Sequence, residues 1–482
     1  MGWRCALLAV LLAFGCTRRN DAKYCDEGTC TTPDYPFCDV TGQLGGDEAR
    51  TCIAVTCSAG TLGECRGDQE VRCNAMGNGY DIVQCERGCD PNADGCRLCD
   101  PNETACTNGK VATCDGDGAV ISTALCPLGC FETEPRCREI DPSNGLGPYL
   151  DMVADPPSID VEELEFDTMS GQVVERPSGT QLTVPSFLIN PAVGGVPVRV
   201  FVVDALKIVR ASAYGPGGPS TGNSPGPAFA IVARSDIQIS GLLRLYGSAG
   251  SSLTPGCIGG RGRLRANCSY SSSGGGGGAF ATNGAKGGDI PNNSCAGGIG
   301  GIAAGVDRLV PLRGGCAGGG VDDDNGVVYE YGALGGGAIQ LASRTKIYID
   351  GVIDVLGEPG FADRLQPEGP IATGGGAGGA MLLEAPVVEL GPNAQLLAKG
   401  GGGAAGCGTG ITCSPGGIGA SVGVAATAGV DINCPANFTT TSAGAGGGGL
   451  GRLRINTRDG VYTKASSSVE EAATTSGPVS TR

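Results

Sequence analysis

Cysteine is the residue type in this chain best placed to do chemistry. There are 25, and a cysteine can act as nucleophile, metal ligand, redox centre or disulfide partner. Sixteen of them lie between Cys25 and Cys137. A zinc site needs paired knuckles or histidine, and the chain has no His at all. The same absence removes Ser-His-Asp triads, histidine general bases and histidine metal ligands. Cys96-Arg-Leu-Cys99 is a lone C-x-x-C that bridges two repeats with no helix pattern after it, which argues against a redox role. Disulfides are what remains.

Few other side chains are grouped. Asp322, Asp323 and Asp324, followed by Asn325, form the one dense acidic cluster. Three carboxylates and an amide can hold Ca²⁺, although their order is not that of an EF-hand loop and a solvated turn is the reading the residues favour. Arg244, Lys346 and Asp354 fall singly on or beside expected strands, where a lyase-type site would need such groups gathered on one face. The stretch Gly298-Ile299-Gly300-Gly301-Ile302-Ala303 has dinucleotide-loop spacing but no strand-turn-helix around it, and chance matches are expected among 88 glycines.

Charge narrows the partners. The formal net charge is −16 with no basic stripe, which argues against nucleic acid as a partner and against electrostatic docking on anionic lipid. The single Trp, Trp3, lies in the first 16 residues.

Those residues, MGWRCALLAVLLAFGC, have a positive start, an apolar run from Ala6 to Phe14 and small residues before Cys16. They read as a signal peptide. Ala13 and Gly15 suit an ordinary signal peptidase; Leu12 to Cys16 also resembles a lipobox, with Phe14 and Ala13 departing from the commonest residues. The lipobox reading makes Cys16 the acylated first residue of an exported lipoprotein, anchored in a membrane of the cell envelope, the outer membrane in a two-membrane cell, with exposure at the cell surface left open.

The cysteine spacing divides the front of the chain. A four-Cys element (17–56) holds Cys25, Cys30, Cys38 and Cys52. A six-Cys unit (57–98) holds Cys57, Cys65, Cys73, Cys85, Cys89 and Cys96. Its tandem copy (99–137) holds Cys99, Cys106, Cys114, Cys126, Cys130 and Cys137, with identical intervals from the second Cys onward. Units this small cannot bury enough apolar surface alone, so bridges must staple them, and spacing leaves the pairing open. A proline-rich, acidic stretch at 138–160 reads as a linker.

Behind it the apolar period becomes two. Phe229–Gly247 aligns without a gap to Ile339–Gly357: Ile237/Ile347, Ile239/Ile349, Gly241/Gly351, Leu243/Ile353 and Leu245/Val355 coincide. Met381–Gly400 and Leu450–Thr457 are looser copies, and Val200–Tyr214 is an earlier one. A repeated strand, break and strand without helices predicts stacked coils over 161–464, a Gly-rich parallel β-helix, with a β-sandwich as the alternative. The whole chain is therefore expected to be mainly β. Cys257, Cys268, Cys295 and Cys316 fall in one long interval, and Cys407, Cys413 and Cys434 in another. The expectation is two projecting Gly-rich loops, 248–334 and 401–445, stapled at their bases, with one thiol of the seven left over. Residues 465–482 read as a low-complexity tail.

The leader, Tyr35–Val40 (YPFCDV), the duplicated six-Cys unit, Asp141–Leu146 (DPSNGL) and the Gly-punctuated strands together resemble the Cys-rich, Gly-rich surface lipoproteins of myxobacteria and related bacteria, over most of the chain. The resemblance implies an envelope location and a C-terminal half similar to the pectin-lyase superfold, and it carries over no catalytic residues. Two functions follow as expectations. One is a non-enzymatic structural, adhesive or matrix-binding protein that meets extracellular polysaccharide or matrix. The other is a Ca²⁺-dependent, lyase-like enzyme acting on polysaccharide, which the missing His does not exclude.

Overall fold

The structure is a computed structural model of all 482 residues. It describes residues 23–482 except 26–29, 43, 45–47, 55–56, 76, 78, 91–94, 98, 101, 117–119, 191–194, 215–225, 248–255, 265–270, 291–294, 324–327, 364–369, 409–410 and 432–440. The chain divides into two compact units, 1–138 and 139–482.

In the first unit the two six-Cys copies fold alike. Leu62–Arg66, Gln69–Cys73 and Tyr80–Gln84 form one three-stranded antiparallel sheet; Thr104–Thr107, Lys110–Cys114 and Val120–Leu125 form its counterpart. The disulfides repeat as well. Cys57–Cys73, Cys65–Cys89 and Cys85–Cys96 match Cys99–Cys114, Cys106–Cys130 and Cys126–Cys137. In both, the first Cys meets the third, the second the fifth and the fourth the sixth, which resolves the open pairing. The four-Cys element is closed by Cys25–Cys38 and Cys30–Cys52. Cys96 and Cys99 belong to different bridges, so they form no redox pair.

The second unit is built on a stack of coils. A front sheet runs, in spatial order, Ser186–Ile189, Val198–Val203, Ala228–Ala233, Ala338–Ser343, Ala380–Glu384, Arg452–Thr457 and Ala473–Pro478. A back sheet contains Ile159–Asp167, Leu206–Tyr214, Ile237–Leu245, Lys346–Ile349 and Val387–Leu390 in the same order. From Val198 onward each turn of chain gives a strand to the front sheet, then one to the back, and each strand pairs in parallel with its counterpart in the next turn. Parallel pairing of successive turns is coil stacking; a sandwich of antiparallel sheets pairs otherwise.

Side-chain alternation fixes the register. Inward residues form ladders: Phe201, Ile231, Leu341, Leu383 and Ile455 on the front sheet, Ile208, Ile239, Ile349 and Leu390 on the back. All are buried between the sheets. The sequence-aligned pairs Ile237/Ile347, Ile239/Ile349 and Leu243/Ile353 are direct rungs. At the N-terminal end the edges are covered by antiparallel strands, Val173–Arg176 and Ser186–Ile189, as a solenoid requires.

Three expected boundaries are corrected. The linker ends at Arg138: Ile140, Leu146 and Leu150 are completely buried, and Tyr149–Met152 is a one-turn helix. The tail is the last coil, with Val469–Glu471 pairing Gln395–Leu397 and Ala473–Pro478 pairing Arg452–Thr457. Its Ser/Thr-rich composition looks unstructured, but Thr suits a strand once a neighbour offers a ladder. Glu139–Asp141 exchange backbone hydrogen bonds with Ser480–Arg482, which ties the two ends of this unit together.

The third correction concerns the Gly-rich intervals. They are not projecting loops. Among the described residues, extended segments from these intervals, with 357–360 and 373–379 from between them, lie side by side and hydrogen-bond laterally. Segment 272–280 shows the rule. Gly274 and Gly277 donate to Gly288 and Ala285; Gly275 and Gly278 donate to Ala372 and Gly375; Gly276 and Ala279 donate to Gly260 and Cys257. Its carbonyls accept from Gly298 and Gly301, from Gly446 and Gly449, and from Gly319 and Cys316. The direction of bonding thus repeats every third residue, the period of polyproline II. Segments 373–379 and 443–449 are surrounded in the same way.

Glycine makes this possible because it has no Cβ. A Cβ on Gly275, Gly277 or Gly448 would collide with the carbonyl oxygen of Gly319, Gly447 or Gly376. The buried peptide groups satisfy one another, so a segment with almost no side chains can still form an interior. Cys257–Cys316 ties two of these segments together.

Candidate functional site

The expected site residues separate into structural groups. Cys16, Cys268, Cys434 and Asp324 lie outside the described residues. Cys295 is disulfide-bonded. Cys407 and Cys413 sit on the paired strands Gly406–Gly408 and Ile411–Ser414, and Asp323 on strand Val321–Asp323. Asp322, on that same strand, lies 3.8 Å from the guanidinium of Arg261.

Arg244 and Asp354, which fall singly in the sequence, are brought together. They are cross-coil partners on the back sheet, with Arg244 Nε 2.8 Å from Asp354 Oδ2. That bond raises the Arg244 guanidinium above its ordinary value. Lys346 Nζ pairs with Glu389 in the next coil at 2.6 Å, and Lys399 with Glu471 at 3.4 Å. Each base is matched by an acid one coil on. A general base must keep a lone pair free near its substrate, and an ion-paired Arg or Lys offers none.

Glu384 is a different case. It is completely buried on the outer side of the front sheet. Its carboxylate accepts from the Ser143 N–H (3.0 Å) and hydroxyl (2.8 Å), from Gln340 Nε2 (2.6 Å) and from Asn456 Nδ2 (2.9 Å). Burial pushes the carboxyl up, against those hydrogen bonds. Asn144 extends the network, donating to Gln340 Oε1 at 2.9 Å and to the Leu309 carbonyl at 3.1 Å. Ser143 and Asn144 belong to the DPSNGL stretch, which therefore works as a strap across the sheet. The partners of Glu384 come from the strap and from the two neighbouring coils, so the network holds the strap to the sheet.

The surface with no internal role is the perimeter of the glycine bundle. Segments there bond inward and turn every third side chain outward. Gly298 and Gly301 donate to the central segment, while Ile299 and Ile302 stand in solvent, 75% and 67% exposed. Gly417 and Ala420 donate inward, and Ile418 between them is 68% exposed. Val422, Val424 and Val430 are exposed on the adjoining turn and segment, so the hydrogen-bonded stretch 418–430 carries four exposed large aliphatic side chains. Sequence reading missed this surface, since it places these residues in loops. The signal was present as isolated Ile residues three apart in Gly-Ile-Gly-Gly-Ile (298–302).

No family model, curated protein or solved structure matches this chain. The functional reading therefore rests on its own residues.

Proposed function

We propose that this chain is an exported cell-envelope lipoprotein that acts by binding rather than catalysis, anchored through an acylated Cys16 and meeting an extracellular polysaccharide or matrix polymer. The observation that carries the binding half is the aliphatic patch of Ile418, Val422, Val424 and Val430, with Ile299 and Ile302 elsewhere on the same perimeter. Large apolar side chains held in water on a rigid lattice have no use in the fold, and such patches are characteristic of interaction sites. On the segment carrying Ile299 and Ile302 the exposed aliphatic side chains stand three residues apart on an extended backbone, which suits an extended polymer better than a small molecule. The anchoring half rests on the leader sequence alone.

Two measurements test the reading. Intact-mass analysis of the exported protein should find an acylated Cys16 as the first residue; an unmodified terminus there removes the anchor. Cosedimentation with insoluble envelope polysaccharide should be lost in the triple variant Ile418→Ser, Val422→Ser, Val424→Ser, while its melting temperature stays unchanged. Retained binding by a folded triple variant removes the patch as the contact surface.

A further inference from the structure

Two straps cover the outer side of the front sheet. The first is the Ser143–Asn144 segment. The second, 304–313, crosses beside strand Arg452–Thr457 and is held at several points. Asn144 accepts from the Leu312 N–H (3.0 Å) and donates to the Leu309 carbonyl; Thr475 donates to the Asp307 carbonyl (3.3 Å). Leu309 and Leu312 are buried beneath it. The strap is thus fixed, and so are the places where it carries Arg308 and Arg313.

Beneath it, Arg452 and Arg454 stand two residues apart on one strand and so share a face. Asp307 pairs with Arg452, whose guanidinium also lies 5.5 Å from the centre of the Phe280 ring. The Arg452 Nε is buried without a hydrogen-bond partner. Arg454 is held by neutral acceptors, Asn456 Oδ1 and the Ser476 carbonyl, both at 2.7 Å. Arg308 is exposed and has no carboxylate partner among the described residues. The positive charges feel one another. Burial and then Arg452 lower the Arg313 guanidinium; burial and then Arg308 lower that of Arg454. Asp307 and Glu384 act on Arg454 in the opposite sense, and Glu384 is pushed by burial toward its neutral form. In a chain of net charge −16 this is a local inversion of sign.

We propose that Arg308, Arg313, Arg452 and Arg454 form a binding site for an oxyanion, a carboxylate or phosphate group carried on the polymer. Arginine suits this role because its planar fork can meet two oxygens of one anion at once, and it keeps its charge when partly buried. The site lies on the solenoid, apart from the aliphatic patch on the bundle. It deepens the polymer-binding reading, and rests on it for the carrier: a polymer bearing acidic groups would contact the patch through its backbone and the arginines through its charges. A bound oxyanion would offset the repulsion between Arg313 and Arg452 and between Arg308 and Arg454.

The test uses the full chain and three probes: polygalacturonate for a polymeric carboxylate, inorganic phosphate for the free tetrahedral anion, and neutral dextran. Calorimetry should detect polygalacturonate or phosphate, more weakly as salt is raised. Arg308→Ala, an exposed change that leaves the fold intact, should weaken that binding about tenfold, the loss expected for one charge-assisted contact. Arg308→Lys should restore part of it. Which probe binds assigns the source of the oxyanion. Unchanged affinity in folded Arg308→Ala, or no binding of either anion, overturns the site. Phosphate binding that depends on Arg308, without any binding to polymer, keeps the site and removes the polymer reading instead.

Discussion

Ser143 and Glu384 stand 241 residues apart in the chain, and the Ser143 hydroxyl donates to Glu384 Oε1 at 2.8 Å. That bond, with the one from the Ser143 N–H, pins the first strap to the front sheet. Glu384→Ala would strand the donors of Ser143, Gln340 and Asn456 in a buried site. A cost of about 3 kcal/mol is expected, since each unpaired buried polar group is penalised by roughly 1–3 kcal/mol. Chemical denaturation of the two proteins measures it, and a loss below about 1 kcal/mol would show that water replaces the carboxylate.

The same carboxyl makes stability depend on pH in a definite direction. Burial raises it in the folded state, so folding favours its protonated form. Its contribution is therefore fully present below the ordinary glutamate value of about 4.3 and is lost as pH rises through the raised folded value. Glu384→Gln keeps a neutral hydrogen-bonding group and should lose that slope. The measurement is the difference in melting temperature between wild type and variant, taken from pH 4 upward. A wild type that gains stability relative to the variant over that range has the opposite linkage, and the stated direction is then wrong.

The glycine bundle gives a contrast between two chemically identical substitutions. A Cβ at Gly277 collides with the Gly447 carbonyl, whereas at Gly402 it meets only the Gly417 oxygen, at an ordinary 3.5 Å. Gly277→Ala should cost about 2–3 kcal/mol or prevent folding, because a backbone lattice cannot shift one member without breaking its neighbours' bonds. Gly402→Ala should be nearly neutral. Equal effects of the two on thermal melting would mean the segments are not packed as a lattice.

The coil stack was readable in advance because alternation and gapless alignment act locally: Ile239 and Ile349 occupy equivalent places in their repeats and become a rung. The duplicated disulfide pattern was readable for the same reason, its pairing was not. The bundle was hidden because a run such as 274–278 has no side-chain pattern, and its partners at 260, 285, 319, 375 and 446 are distant in sequence. The arginine site was hidden because Arg452-x-Arg454 is unremarkable until the strap from 304–313 adds Arg308 and Arg313. One consequence is opposite to the loop reading: replacing 258–315 by a short turn removes the central segment 272–280 and should unfold the second unit rather than trim it. Cooperative melting of that deletion near the wild-type temperature would restore the loop reading.

The last prediction separates the two units by what holds them. Among the described residues of the first unit, eight disulfides staple strands of six residues at most, and the buried groups of the four-Cys element and of the second repeat are largely the cysteines themselves. Each bridge is worth about 2–4 kcal/mol, so reduction should remove most of the unit's stability. The second unit has a continuous aliphatic core from Ile159 to Ala472, with Cys257–Cys316 added to a lattice already held by backbone bonds. Limited proteolysis of the full chain, with and without a reductant, distinguishes them through the mass of the fragments. Without reductant both units should resist. With it, cleavage should spread through 23–138 while a resistant fragment beginning near Glu139 survives. Its N-terminus should lie close to that residue because backbone bonds tie Glu139–Asp141 to Ser480–Arg482, which leaves the boundary just ahead of them as the first accessible stretch. If 23–138 remains intact under reduction, its strands are stable without their staples; if the second unit is digested as well, the lattice depends on its disulfides.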